Sequence, residues 1–259
     1  MPTAVFRRVV SDSRQIQAGD LFFAIKGEKF DGHNFLDEAA AKGAVAVVVA
    51  QGRRFERLPD CGVIGVADVR RAYGRLAAAY RQQFELPVIA VGGSNGKTST
   101  KELIAAVLRE QFPTLWSEAS FNNDIGVPAT LLRLEKSHRA AVLEVGTNHP
   151  GELAPLVKLV QPRLGVITTI GREHLEFFGD VSGVAEEEGW LAELLPADGV
   201  LFVNGDNEWT GRLAKRTLAR VVRVGFGEAN QWRARNVRLG DAGSAFQVDA
   251  PKSDFCGEY

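Results

Sequence analysis

The sequence is poor in the features that mark secreted, disulfide-stabilised and membrane-spanning proteins. Only two of its 259 residues are cysteines, Cys61 and Cys256, and their separation suggests neither a disulfide framework nor a metal site. No apolar run is long enough to cross a bilayer, and the N-terminal residues lack the apolar core of a signal peptide. These absences predict a protein of the reducing cytoplasm with no membrane association.

An excess of charge of either sign is also missing. The 31 lysines and arginines nearly balance the 32 aspartates and glutamates, so the formal net charge is -1. Because nucleic acids and anionic membrane surfaces recruit strongly basic proteins, neither is expected as a partner. The hydrophobic fraction of 45% is that of an ordinary globular protein with one large domain or two smaller ones.

The most informative stretch of the sequence is a short apolar run followed by a turn of small residues and an amphipathic helix. Residues 88–91 predict a strand and residues 101–112 predict a helix, with a glycine turn at residues 92–98 between them. Backbone N–H groups in such a turn bind phosphate oxygens, while Lys97 reaches the terminal phosphates and Thr98 holds a magnesium ion. The residues expected at the phosphates are Gly93, Ser94, Asn95, Gly96, Lys97, Thr98 and Ser99. The strict motif needs a glycine where this chain has Val91, and a plain glycine-rich turn is the alternative.

Periodicity and turn signals predict two domains of the α/β class. Residues 1–84 predict a small α/β domain, and residues 85–259 predict a domain with a mostly parallel sheet. The strands predicted for the second domain are 88–91, 141–145, 164–170, 200–204 and 221–226, followed by a hairpin around 240–244. Three of these strands lead into polar loops, at the sheet edge where open α/β sheets bind ligands. With no helix after the hairpin, the second domain reads as incomplete at its C-terminal end.

Two titratable residues stand out at that edge. Glu144 lies in an apolar strand, where an unpaired carboxylate is costly, so either a magnesium ion or a core salt bridge is expected as its partner. His174 follows the next strand and is expected either to contact a metal or phosphate or to serve a structural role.

Two loops of the first domain carry hydroxyl, basic and acidic side chains. Their candidate ligand-binding residues are Ser13, Arg14, Lys26, Asp31, His33 and Asn34. Such side chains on turns suit a polyanionic ligand such as a pyrophosphate. Two solvated turns with Asx-type hydrogen bonds are the competing interpretation.

An acidic run, Glu186, Glu187 and Glu188, falls in a helix whose predicted cap is near Ser182. Acidic residues in a first helical turn usually face solvent and interact favourably with the helix dipole. We therefore expect an exposed acidic face.

Taken together, these motifs resemble the Mur ligase family. The first-domain loops resemble its UDP-binding domain, and the turn at 92–98 looks like its shortened phosphate loop, which explains Val91. The segments 121–128 and 144–152 are most similar to the family member that adds D-alanyl-D-alanine. The resemblance covers nearly the whole chain in the right order.

The resemblance implies a small α/β UDP-binding domain, a P-loop NTPase-like central domain and a third, Rossmann-like domain that this chain lacks. The implied enzyme is an ATP-dependent amide ligase of peptidoglycan synthesis that joins D-alanyl-D-alanine to UDP-N-acetylmuramoyl-tripeptide through an acyl phosphate. It would use ATP and Mg²⁺, and we expect a monomer. Without the third domain, the chain alone is expected to bind its substrates weakly and not to turn over.

Residue roles follow from the same resemblance. Lys97, Glu144 and His174 would be catalytic, with Thr98 and Glu144 on one magnesium ion and His174 on a second. Asn122 and Asn123 match a loop that lines the ATP site. Ser13, Arg14, Lys26, Asp31, His33 and Asn34 would hold the UDP moiety.

One position departs from the family pattern. Many Mur ligases carry a carbamylated lysine that helps bind the second magnesium ion, and the aligned residue here is Glu188. We expect Glu188, or its neighbour Glu187, to supply that carboxylate directly, through water or after a helix shift.

Three other interpretations stay open. The first is the preceding Mur ligase, which adds the third amino acid of the peptide. The second is a P-loop nucleotide switch, which would leave the first-domain loops without a role. The third is a non-catalytic UDP-sugar-binding module.

Overall fold

The computed structural model describes residues 5–54, 58, 60–241 and 243–259. Contacts along the chain divide it into two compact units. The first unit contains Met1–Phe84 and Asp124–Leu134, and the second contains Glu85–Asn123 and Glu135–Tyr259.

Strands alternate with helices in both units, as the spacing of apolar residues predicts. In the described residues the strands are β1 (Val9–Val10), β2 (Leu21–Phe23), β3 (Ala46–Ala50), β4 (Gly62–Val66), β5 (Val88–Gly92), β6 (Thr114–Trp116), β7 (Ala140–Glu144), β8 (Leu164–Ile167), β9 (Val200–Asn204), β10 (Arg220–Gly225), β11 (Trp232–Gly240), β12 (Gly243–Asp249) and β13 (Gly257–Glu258). The helices are α1 (Leu36–Ala41), α2 (Val69–Arg81), α3 (Lys97–Arg109), α4 (Gly126–Leu131), α5 (Leu153–Val160), α6 (Leu175–Phe178), α7 (Val181–Glu193) and α8 (Thr210–Ala214). None of these described helices has the length and apolar character needed to cross a membrane.

The first unit is built on a parallel sheet with strand order β1-β2-β3-β4, as far as its described residues show. Strands β2 and β3 are almost wholly buried, as continuous apolar runs in a parallel sheet predict. Strand β4 has a similar apolar sequence, but it lies at the edge of the sheet and is largely exposed. Asp68 caps α2, because its side chain accepts a hydrogen bond from the N–H of Arg71.

Helix α4 packs in the first unit, although the sequence places it inside the predicted second domain of residues 85–259. Ile125, Ala129 and Leu132 recur at helical spacing and pack against the buried cluster that includes Phe23 and Tyr73. Apolar periodicity predicts that a segment is a helix with one buried face. It does not say which core that face will join.

The second unit holds a mixed sheet whose described strands follow the order β13-β12-β11-β10-β9-β8-β5-β7-β6. Strand β5 lies between β8 and β7, and all three run parallel. Their carboxyl ends therefore bring the loops after residues 92, 144 and 167 to one edge of the sheet. Strands β11 and β12 pair antiparallel and form the predicted hairpin.

Candidate functional site

The turn between β5 and α3, which we call the glycine turn (residues 92–98), requires glycine at two places. Gly93 has φ 108° and Gly96, the residue before α3, has φ 82°. A Cβ on Gly93 would lie 2.5 Å from Thr168 Oγ1 and 2.9 Å from the Thr168 backbone nitrogen. The turn therefore follows a path that a larger residue at position 93 would block.

Lys97 folds over this turn. Its Nζ atom donates hydrogen bonds to the carbonyl oxygens of Gly93 (2.5 Å) and Ser94 (3.3 Å) and lies 3.5 Å from Glu173 Oε2. Ser94 ties the turn to the loop after β8, because its N–H donates to Thr169 O (2.7 Å) and its Oγ accepts from Gly171 N–H (2.9 Å). The ammonium group is thus held over the turn by two carbonyl oxygens and one carboxylate.

Glu144 ends β7 and is buried beside the turn. Thr98 Oγ1 donates to its Oε2, and Asn122 Nδ2 donates to its Oε1, both at 2.8 Å. Within the described residues, its carboxylate oxygens meet these neutral donors rather than the basic partner of a core salt bridge. A hydroxyl and a carboxylate in contact are hard oxygen donors of the kind that Mg²⁺ prefers, and each carboxylate oxygen keeps a lone pair.

His174 precedes α6 with φ 45°, a left-handed conformation that turns the loop after β8 toward the same edge. Together with Lys97 it lines an open cavity, which we call the site cavity. The residues that line it are Lys97, Asn122, Asn123, Gly146, Thr147, Asn148, Glu152 and His174. The structure therefore brings Lys97, Asn122, Asn123 and His174 to one place. In the part of the chain that the structure describes, no three His, Cys, Asp or Glu side chains cluster as a metal site.

The loop of residues 146–152 forms part of the same cavity, and the sequence assigned no role to its Glu152. Glu152 Oε2 accepts from the backbone N–H groups of Asn148 (2.9 Å) and His149 (3.1 Å) and from the Thr147 hydroxyl (3.3 Å). Burial raises the pKa of Glu152, but the hydrogen bonds from Asn148 and His149 outweigh it and hold the pKa below its ordinary value. The signals for it in the sequence are the position of the loop after β7 and the family resemblance of the segment 144–152.

The acidic run on α7 is largely buried, so the exposed acidic face expected from the sequence is wrong. Glu186 is exposed and pairs with Arg212, but Glu187 and Glu188 are only 5% and 1% exposed. The helix starts earlier than predicted, because the Asp180 side chain, and not a group near Ser182, accepts from Gly183 N–H and caps it. The run therefore lies in the second turn, where two of its side chains face the protein interior.

Glu188 lies directly under the glycine turn. Its Oε2 accepts a hydrogen bond from Gly93 N–H at 2.6 Å, while its buried Oε1 has no hydrogen-bond partner among the described residues. Burial raises the pKa of Glu188 to about 7, against the opposing effect of the Lys97 charge. Glu188 does not belong to the residues that line the site cavity, so a metal contact would need the water or helix shift expected above.

In the first unit, both candidate loops are turns capped by an aspartate, as the Asx interpretation describes. Asp12 accepts from Arg14 N–H and pairs with the exposed Arg14 guanidinium at 2.6 Å, and Ser13 between them is buried. Asp31 accepts from His33 N–H (3.0 Å).

Asp31 and His33 also make contacts beyond their own turn. Asp31 pairs with Arg53 at 2.9 Å, and buried His33 accepts the N–H of Ala50 at its Nε2 (3.0 Å). Because Nε2 accepts this bond, the ring proton of neutral His33 lies on Nδ1. The distance from Nδ1 to Asp31 Oδ1 is 2.7 Å. Lys26 and Asn34 are exposed on the same turn.

Models of known protein families match both units of the chain. A model of the Mur ligase middle domain matches residues 91–256, and a model of the Mur ligase family catalytic domain matches residues 6–81. The chain is 40% identical over 94% of its length to the UDP-N-acetylmuramoyl-tripeptide--D-alanyl-D-alanine ligase of Escherichia coli (strain K12), and 35% identical over 97% to that of Bacillus subtilis (strain 168). It covers 53% and 54% of these two relatives, so it spans about half the length of the curated relatives it matches.

Solved structures agree with this similarity. A crystal structure of MurF from Acinetobacter baumannii superposes with a TM-score of 0.88 at 35% identity, over 97% of this chain and 54% of that one. MurF ligase from Thermotoga maritima in complex with ADP gives a TM-score of 0.85 at 26% identity, over 100% and 58%. Because the middle-domain match alone spans more than half of its residues, the chain belongs to the Mur ligase family.

Proposed function

We propose that the chain carries the nucleotide- and UDP-substrate-binding regions of a cytoplasmic, ATP-dependent amide ligase of peptidoglycan precursor synthesis. The proposed reaction joins D-alanyl-D-alanine to UDP-N-acetylmuramoyl-tripeptide. Its support is the similarity to relatives that bear this name and to a MurF structure that contains ADP. The observation that carries the proposal is the glycine turn, with Lys97 above it and Thr98 bonded to Glu144 beside it.

The proposed chemistry has two steps. An oxygen of the tripeptide's terminal carboxylate attacks the γ-phosphorus of ATP, and ADP leaves with the bridging oxygen. The amine of D-alanyl-D-alanine then attacks the acyl carbon, loses a proton and expels inorganic phosphate. Phosphoryl transfer depends mainly on positioning and charge neutralisation, which Lys97 and the N–H groups after Ser94 in the glycine turn would supply. The N–H groups of Gly93 and Ser94 are bonded to Glu188 and Thr169 instead.

We assign the magnesium ligands on the same grounds. Thr98 and Glu144 would hold one ion, because their contact places two hard oxygen donors beside the turn. When bound, the ion would neutralise charge on the β- and γ-phosphates. His174 would serve a second ion or the γ-phosphate from across the site cavity.

The UDP moiety is assigned to the first unit. Arg14, Lys26 and Asn34 are exposed and able to contact its phosphates and uridine. Ser13, Asp31 and His33 are more buried. Asp31 and His33 bond to each other, Asp31 also pairs with Arg53, and these contacts suit them to shaping the turn around the ligand.

Calorimetric titration with MgATP tests the nucleotide assignment. Lys97→Ala should weaken binding at least about tenfold, the loss expected for one charge-assisted contact. Lys158→Ala, an exposed lysine on α5, is the matched control and should bind like the parent chain. Equal affinity in both variants would contradict the assignment.

A thermal-shift assay separates the ligase from the nucleotide switch. Stabilisation by UDP-N-acetylmuramoyl-tripeptide would support the ligase, whereas stabilisation by guanine nucleotides alone would favour the switch.

A further inference from the structure

We propose that Glu187 and Glu188 are positioning residues that fix two different loops of the site cavity from one helix. Neither residue is exposed, and both make their hydrogen bonds to backbone N–H groups of distant loops. Neighbouring residues on a helix point about 100° apart, so adjacent carboxylates on α7 can serve two separate segments.

Glu187 holds the 146–152 loop and the start of α5. Its Oε2 accepts from Gly151 N–H at 2.9 Å and its Oε1 accepts from Leu153 N–H at 2.8 Å. The first N–H groups of a helix lack partners within the helix, and the residue before α5, Glu152, makes no side-chain capping bond. Glu187 therefore caps α5 from another helix through Oε1 and holds the preceding loop through Oε2.

Glu188 holds the glycine turn through a single oxygen. Its Oε2 accepts from Gly93 N–H across 95 positions of sequence, and in the part of the chain that the structure describes its Oε1 has no partner. The neighbouring glycine makes this contact possible, since a Cβ on Gly92 would lie 2.8 Å from that same Oε2 and 3.2 Å from Leu191 Cδ2. Gly92 thus provides the space in which the carboxylate reaches the turn.

The two contacts control two walls of one cavity. The glycine turn contributes Lys97, and the 146–152 loop contributes Gly146, Thr147, Asn148 and Glu152. Because both walls are bonded to the same helix, α7 sets the distance between them. The inference rests on the proposed function only where it concerns nucleotide affinity, since the hydrogen bonds themselves exist without any ligand.

The two residues differ in what a neutral replacement can do. Glu188 needs one acceptor atom, which the amide oxygen of Gln supplies. Glu187 needs two acceptors, and the NH₂ group of Gln would face a backbone N–H. Positioning by hydrogen bonds therefore predicts that Glu188→Gln is tolerated, whereas Glu187→Gln and Glu188→Ala are not.

Site-resolved amide hydrogen exchange of the ¹⁵N-labelled chain, together with MgADP titration, tests this prediction. Glu188→Ala should speed exchange at Gly93 at least about tenfold and weaken MgADP binding by a similar factor, while Glu188→Gln restores both. Glu187→Gln should speed exchange at Gly151 and Leu153 but not at Gly93. Glu186→Gln, the exposed neighbour on the same helix, is the control and should change none of these amides.

The inference is overturned if Glu188→Ala leaves the Gly93 amide as protected as in the parent chain, or if Glu187→Gln leaves Gly151 and Leu153 protected. It is also overturned if Glu188→Gln keeps Gly93 protected yet loses MgADP binding, because the charge would then matter rather than the contact. Exchange is measured without nucleotide. Failure of the chain to bind MgADP would therefore count against the proposed function, while the exchange pattern still decides the positioning role.

Discussion

The polar turns of the first unit and the glycine turn of the second unit are stabilised in opposite ways. In the first unit, Asp12 and Asp31 each cap a turn by accepting an N–H only two residues along the chain. In the second, Glu188 reaches Gly93 across 95 positions and Glu144 reaches Thr98 across 46. Local bonds follow from the residues of the turn itself, whereas distant bonds depend on the whole fold.

The largest expected effect comes from blocking the glycine turn. Gly93→Ala adds a Cβ at a positive φ and against backbone atoms of Thr168, so it should destabilise the chain by about 4 kcal/mol from strain and overpacking together. Gly52→Ala in the first unit is the matched control, because Gly52 has φ 80° but no atom within 4 Å of the added Cβ. It should cost only about 1 kcal/mol. Equal urea midpoints for the two variants would contradict the expectation that Gly93→Ala destabilises the chain more than Gly52→Ala.

The next effect concerns the pH dependence of the buried carboxylate in the metal-free chain. Folding raises the pKa of Glu188 from 4.5 to about 7, so the folded state binds this proton more tightly than the unfolded state. The resulting stabilisation is complete below the unfolded value and is lost as the pH rises through about 7, with a span of about 3 kcal/mol. Unfolding free energies of the parent chain and Glu188→Gln, measured from pH 4.5 to 8, should therefore be similar in acid, where the neutral amide resembles the protonated carboxyl, and should diverge as the pH rises through about 7. A constant difference would show that the carboxylate is not protonated there.

The smallest effect belongs to the first unit and has the opposite sign. The hydrogen bond from Arg14, more than the partial burial, holds the pKa of Asp12 below its ordinary value. The stabilisation it gives is present above pH 3.8 and is lost as the pH falls through the lowered pKa. Because the pair is largely exposed and screened, Asp12→Asn should cost less than about 1 kcal/mol at pH 7, and this cost should shrink as the carboxyl becomes protonated in acid. A loss as large as that of Gly93→Ala would show that this turn is not a locally stabilised one.

The same contrast explains what could be predicted from sequence. Apolar runs and turn residues predict the strands, the parallel sheets and the strand–turn–helix around Lys97, because these depend on local periodicity and small residues. The contact of Thr98 with Glu144 follows less directly, from the rule that parallel strands end at one edge.

The errors arose where a partner is distant in sequence. Glu187 and Glu188 have the composition of a solvated face, and only the packing of α7 under two loops shows that they are buried. Helix α4 falls inside the domain predicted for residues 85–259 but packs in the first unit, since several cores could accept the same buried face. The cap of α7 was predicted near Ser182, and the residue that makes the capping bond, Asp180, lies two positions earlier.

The return of residues 124–134 to the first unit means that the polypeptide passes between the two units three times, after Phe84, Asn123 and Leu134. No single cleavage of the backbone can therefore release either unit intact. A fragment that stops at Phe84 would lack the side chains of Ile125, Ala129 and Leu132 that cover its Tyr73 cluster. Excising the first unit as a separate piece requires grafting this eleven-residue insert back onto it.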